Sequence, residues 1–332
     1  DTSRSQQPLS EDPQALFLVV TRRCVPLTLC VRDNSAAVVM GLIVAVFLWG
    51  GNNVATKYLV DTWPPIWTSC TRFLISGALL LFLAHKTRWF GSPKPLSPSL
   101  KKALWFKGSL SFTVYILSFI WALKFSTAAN MGLLFATSPM WALLWEIRLV
   151  ERAELIKRFI EAVLTLFGVA ILFQSSASQE VGWLGNGLGL LAAVLWTFYS
   201  RVCRSFGNQL SSAQLNGHNF IRTFVWLLPF AIYDQMNASI AMEPKLWATQ
   251  IYSIIGAGVF AFAFWTNALK KWPTSRVMLF VNLIPLTTVL CGRVFLNESV
   301  QIHFWVAMIF VMAGVCLGLA DLGKWKRQWL SS

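Results

Sequence analysis

Charge is scarce in this sequence. Asp, Glu, Lys and Arg make up only 13% of its 332 residues, against about 25% in an ordinary soluble domain. There are 14 acidic residues and three histidines. His85, His218 and His303 are scattered, so the cluster of acids and imidazoles that a lipid-modifying membrane enzyme would hold at one membrane face is missing. The six cysteines form no CxxC pair and mostly lie in or beside apolar runs. Neither a disulfide framework nor a metal site is indicated. No nucleophile elbow and no kinase signature is present. Gly318 to Trp325 has the glycine and lysine spacing of a phosphate loop but lacks the Ser/Thr and the preceding strand, so no nucleotide site follows. The expectation is a non-enzyme with no metal, no cofactor and no ATP-driven step.

What fills the space is apolar. Hydrophobic residues account for 56% of the chain, and the mean hydropathy is +0.57. After a mixed polar stretch at 1–36, expected to be a disordered tail without function, ten apolar runs follow at 37–59, 65–84, 103–124, 127–146, 159–174, 184–202, 213–232, 246–269, 275–296 and 303–320. Each is close to the ~20 residues that cross a bilayer as a helix. Lipid cannot satisfy exposed backbone groups, so helices are the expected form. The fold class is all-α integral membrane, with ten transmembrane helices and a cytoplasmic tail at 321–332.

The net charge of +14 would suggest nucleic acid in a soluble chain. Here it has a simpler source, and no nucleic-acid partner is expected. With the N-terminus inside, the inner segments hold 21 Lys and Arg and the outer ones only Lys124 and Lys245. That bias places both termini in the cytoplasm. The expected setting is a bacterial inner membrane, with the lipid bilayer and a small solute as partners and a homodimer as a candidate assembly.

The chain is also written twice. ALKFSTAANMGLLFATSP, Ala122 to Pro139, returns 146 positions later as ALKKWPTSRVMLFVNLIP, Ala268 to Pro285. Gly168 falls on Gly314, while Trp49 meets Trp196 and Glu151 meets Glu298 one place out of step. Two five-helix repeats, 37–174 and 184–320, are expected. Five is odd, so the second copy enters the membrane from the opposite side. Inverted repeats of this kind build secondary transporters with substrate sites near the midplane.

WGGNNVATKYL, Pro64-Pro65, Arg72, then AL-K-STAA…SP and a Glu-Arg pair before a helix ending in Gly-Val resemble the EamA-type transporters of the drug/metabolite transporter superfamily. Trp196, Ala268-Leu269, Pro285, Asn297-Glu298 and Gly314-Val315 repeat the pattern. The likeness covers about 37–320. Glu161 stands where such helices usually carry a small residue, and Glu151 is shifted by one. The resemblance implies a ten-helix carrier of small metabolites.

Ionisable groups deep in a bilayer are default functional candidates. Arg222 lies ten residues into its run, about 15 Å along the axis. His218 and Asn219 precede it by four and three, on one helix face. This stripe is either a substrate contact or a buried hydrogen-bond network. Arg72 is the repeat counterpart of His218. Asn52 and Asn53 follow Trp49 and the Gly50-Gly51 pair, where a loosened helix lets amides meet a polar ligand. Asn130 and Asn282 precede Pro139 and Pro285, prolines that bend a helix and are read as gating bends or fixed kinks. Of 17 tryptophans, most mark interfaces, while Trp49, Trp121, Trp196 and Trp265 lie deeper. Glu161 and His218 are the groups that proton coupling would use.

The expected function is alternating-access transport of a small organic solute. The deep charge is basic, which favours amino acids or other carboxylate-bearing solutes. Phosphorylated sugars or nucleotide-sugars, and an integral-membrane lipid-modifying enzyme, are the alternatives.

Overall fold

The computed structural model describes residues 35–87, 92–146, 160, 163–171, 182–236, 240–297 and 300–319. Glu151, Glu161 and Glu298 lie outside the described residues. Every regular element among those described is helical. They are α1 (Ala36–Thr62), α2 (Pro65–Lys86) and α3 (Pro98–Phe125), then α4 (Ala128–Phe135), α5 (Ser138–Glu146) and α6 (163–171). The second half holds α7 (Gly182–Ser205), α8 (Ser212–Met236), α9 (Pro244–Lys271), α10 (Thr274–Phe295) and α11 (Ile302–Leu319).

Five of these, α1, α2, α3, α9 and α10, are long and apolar enough to cross a membrane. Helices α7 and α8 have the length, 24 and 25 residues, but are less apolar, because each buries polar side chains within the bundle. Asn186, Thr197 and Ser200 on α7, and Asn216, Asn219 and Thr223 on α8, are buried. A helix enclosed by other helices can carry such a face when its groups find partners. Asn216 donates to the Phe262 carbonyl at 2.9 Å and accepts from Thr266 at 3.0 Å.

The short joints are set by local chemistry. Proline opens α2 at Pro65, where a missing N–H costs nothing, and Asp234 of α8 accepts from the Ile66 N–H at 2.8 Å. Thr127 caps α4 by accepting from the Asn130 N–H at 3.1 Å, and Ser97 caps α3 by accepting from Leu100.

Helix geometry is irregular ahead of both Pro139 and Pro285. The run foreseen as one helix at 127–146 is interrupted at Ala136–Thr137, three and two residues before Pro139. Within α10, Leu279–Leu283 tightens to 3₁₀ geometry just ahead of Pro285. In each case the proline ring removes a donor and crowds the carbonyl one turn back. The Thr137 hydroxyl takes up one of the loosened acceptors, donating to the Leu134 carbonyl at 2.7 Å.

Helix α2 packs along α8, α3 along α7, and α4 across α10. The first and last of these pairs are segments that the 146-residue repeat equates. Lipid is as apolar as a leucine side chain, so such helices associate through close fit rather than hydrophobic expulsion. Gly50 shows how close: a Cβ there would fall on the Thr287 hydroxyl and within 3.2 Å of the Thr288 nitrogen of α10. At Gly185 on α7 a Cβ would lie 2.5 Å from the Phe125 carbonyl at the end of α3.

Gly50→Ala should therefore wedge α1 from α10, at about the 1–3 kcal/mol typical of overpacking. A lower unfolding temperature in detergent is expected. Gly187→Ala, which meets nothing within 4 Å, should leave it unchanged.

Candidate functional site

A cavity lies where α1, α2, α3, α4, α7, α9 and α10 converge, with about 500 Å³ of empty space. Its polar lining is Asn52, Asn53 and Arg72. The rest is aromatic or aliphatic, with Trp49, Phe73, Tyr115, Phe119, Trp196 and Phe262 prominent.

Helix periodicity brings the α1 groups together. Trp49, Asn52, Asn53 and Thr56 follow the i, i+3, i+4, i+7 pattern of one helix face, and all four are buried. Arg72 faces them from α2 and is 3% exposed. Its Nη1 donates to Asn52 Oδ1 at 3.4 Å, to Thr56 Oγ1 at 3.2 Å and to Ser253 Oγ on α9 at 3.0 Å. Ser253 also donates to Asn52 Oδ1 at 2.6 Å. The guanidinium lies 4.8 Å from the Phe73 ring centre, a cation–π contact. Arg72 forms no ion pair among the described residues, and its buried Nε–H has no acceptor.

Ser253 opens a π-helical segment, Ser253–Ala261, a geometry frequent at functional sites. Ser76 of α2 donates to the Ile254 carbonyl inside it at 3.0 Å. Asn53 Nδ2 donates to Thr288 Oγ1 at 3.2 Å, and Thr288 donates to the Gly50 carbonyl at 3.2 Å. The cavity wall is thus sewn to α10.

On another side of the cavity lies a cluster of rings. Trp49 sits 5.1 Å from each of Trp196, Phe262 and Trp265, edge to face. Phe112 continues the cluster to Tyr199 at 4.6 Å and Phe220 at 5.2 Å. Each such pair adds roughly 0.5–1.5 kcal/mol beyond its buried area. Three of the four tryptophans expected to be deep therefore meet. Trp121 instead stacks on Phe125.

The polar stripe of α8 divides. Asn219 is fully buried, donates to the Tyr199 hydroxyl at 3.3 Å and leaves its Oδ1 without a partner. His218 and Arg222 are half-buried; Arg222 Nη1 donates to the His218 carbonyl at 2.9 Å and the guanidinium lies 5.3 Å from the Trp105 ring. None of the three lines the cavity. Asn130 joins a clasp between α4 and α7, donating to Ser126 and Asn186 at 3.4 Å each. Asn282 is buried in the 3₁₀ stretch with an unpartnered Oδ1.

Two groups of contacts tie the bundle ends. At one end Lys124 donates to the Val60 carbonyl at 2.8 Å and Trp63 to the Ala241 carbonyl at 3.0 Å. At the other, cations hold loop carbonyls: Lys94 to Asn208, Lys270 to Leu210 and Arg204 to Trp272.

Thr56 and Ser253 are the site residues that the sequence reading missed. Thr56 had a signal, standing one turn beyond Asn52 on the same face. Ser253 had none, since it meets Arg72 from 181 positions away.

A helical bundle of membrane-spanning segments around a buried guanidinium has the build of a membrane transporter. The EamA-like transporter family model matches residues 36–174 and 183–319, and the chain belongs to that family. A protein of Archaeoglobus fulgidus named as an uncharacterized transporter is 25% identical over 283 residues, covering 84% of this chain and 96% of that protein. A protein of Escherichia coli named as a probable amino-acid metabolite efflux pump is 23% identical over 308 residues, covering 87% of this chain and 96% of that protein. A solved crystal structure, 20% identical, superposes with a TM-score of 0.63 over 85% of this chain and 96% of its own, which shows the shared fold.

The Asn53–Thr288 bridge can be tested on its own. A double-mutant cycle of Asn53→Ala and Thr288→Val, read by thermal unfolding in detergent, should give a coupling near the ~0.6 kcal/mol average for hydrogen bonds between membrane helices.

Proposed function

We propose that the protein is a secondary carrier that moves a small carboxylate-bearing solute by alternating access. Its ten transmembrane helices form two inverted repeats, 37–174 and 184–320, with both termini cytoplasmic. The observation that carries this reading is Arg72. It is a buried guanidinium with an unpartnered N–H, in a cavity whose lining, among the described residues, holds no carboxylate and no histidine. A carboxylate satisfies a guanidinium edge with two parallel hydrogen bonds. Trp49, Asn52 and Asn53 complete the site. The name of the Escherichia coli relative, a probable amino-acid metabolite efflux pump, agrees with a carboxylate-bearing solute.

The 21-to-2 distribution of Lys and Arg supports placing the Lys94, Arg204 and Lys270 end in the cytoplasm. Exchange of access then requires those cation–carbonyl bonds to open. Pro139 and Pro285, beside the two interrupted helices, are the proposed bends. His218, Asn219 and Arg222 are assigned a supporting role at the α8–α3 and α8–α7 contacts, with Asn130 and Asn282 supporting α4 and α10.

Metabolite profiling of cells with and without overexpression should show a carboxylate changing across the membrane. Arg72→Lys should weaken its transport, because lysine lacks the planar fork, and Arg72→Ala should weaken it further. Arg222→Ala should lower thermal stability with solute affinity retained. Folded Arg72 variants with unchanged affinity would sink the assignment, and a loss of affinity confined to the Arg222 variants would move the site to α8.

Topology is tested at Ser178, which lies outside the described residues, in the loop expected to face outward. Ser178→Cys should react with an impermeant thiol reagent in intact cells. Reaction only after permeabilisation would overturn the inverted arrangement.

A further inference from the structure

Charge balance in the cavity narrows the solute. Resting on the carrier reading above, we infer that the site takes a net monoanion, a carboxylic acid with a compact apolar body and no ammonium group, such as a 2-oxo acid. Among the described residues, Arg72 is the one charged side chain in the lining. The described carboxylates are elsewhere. Asp61 pairs with Lys57 at 3.0 Å, Asp234 caps α2, and Glu243 does not line the cavity. A monoanion docked on Arg72 leaves the buried pair neutral. A zwitterionic amino acid leaves one net positive charge in an apolar enclosure, where an uncompensated ion is heavily penalised.

The hydrogen-bond inventory points the same way. An ammonium group brings three N–H donors. Asn52 Oδ1 already accepts from Arg72 and Ser253, and Thr56 Oγ1 accepts from Arg72. That leaves the Asn53 amide oxygen and the Tyr115 hydroxyl as lining side-chain acceptors without a bond among the described residues. Both are neutral acceptors, so neither cancels the charge that an ammonium group would bring. The remaining wall, with Phe73, Phe119, Phe135 and Ile284, suits a branched or aromatic body.

The test is titration calorimetry on the purified full chain with matched pairs: 4-methyl-2-oxopentanoate against leucine, and phenylpyruvate against phenylalanine. In at least one pair the oxo acid should bind about ten-fold tighter or more, the scale on which an unpaired buried charge is felt. Asn53→Asp places a carboxylate in the lining with little change of shape and should turn the preference towards the amino acid. Arg72→Ala should abolish oxo-acid binding, and Arg72→Lys should weaken it while keeping the preference; thermal unfolding confirms that each variant is folded. Equal or tighter amino-acid binding by the unaltered chain, or no binding of any probe, would overturn the monoanion assignment. In the first case the Arg72 carrier reading survives if Arg72→Ala loses the amino acid. A folded Arg72→Ala that binds both partners like the unaltered chain would overturn that reading as well.

Discussion

A guanidinium held deep among apolar helices is the constraint around which this bundle is arranged. A charge taken out of water is costly unless it is hydrogen-bonded, so Arg72, 3% exposed, must find acceptors within the bundle. They come from two directions. Asn52 and Thr56 present themselves from one face of α1, and Ser253 reaches in from α9. The π-helical turn beginning at Ser253 and the hydroxyl of Ser76 beneath it fix that approach. Phe73, next to Arg72 in sequence, covers the cation with its ring. What these contacts leave unsatisfied is the Nε–H, and the proposed role of the site follows from that remainder.

Around this centre the helices are held by fit. Glycine lets the α1 backbone meet α10 at Gly50, and small hydroxyl side chains such as Thr288 then bridge the gap with hydrogen bonds. The aromatic cluster of Trp49, Trp196, Trp265 and Phe262 joins residues from both halves of the chain. By contrast, the two bundle ends are tied by single polar bonds from long cations and indoles to loop carbonyls. Bonds of that kind exchange readily with water at a membrane surface, whereas an interlocked aromatic cluster does not deform continuously. A rigid centre with releasable ends is the physical requirement of the carrier proposed here.

The sequence by itself determined the class. Scarce charge and apolar runs of spanning length specify membrane helices, because hydropathy and backbone satisfaction are local properties. The irregular stretches ahead of Pro139 and Pro285 were legible for the same reason, since proline acts on the carbonyl one turn behind it. The face formed by Trp49, Asn52 and Asn53 could also be read, because helical periodicity fixes which side chains within one helix point together. Depth, however, was a poor guide to role. Arg222, ten residues into its run, lies half-buried beside Trp105, whereas Arg72 at shallower depth lines the cavity. Depth along an axis gives height in the membrane and says nothing of the direction a side chain takes around that axis. That direction, and with it the meeting of Arg72 with Ser253 and of Asn53 with Thr288 across more than 180 positions, was decided only by the tertiary structure, since it depends on which helices pack together and at what rotation.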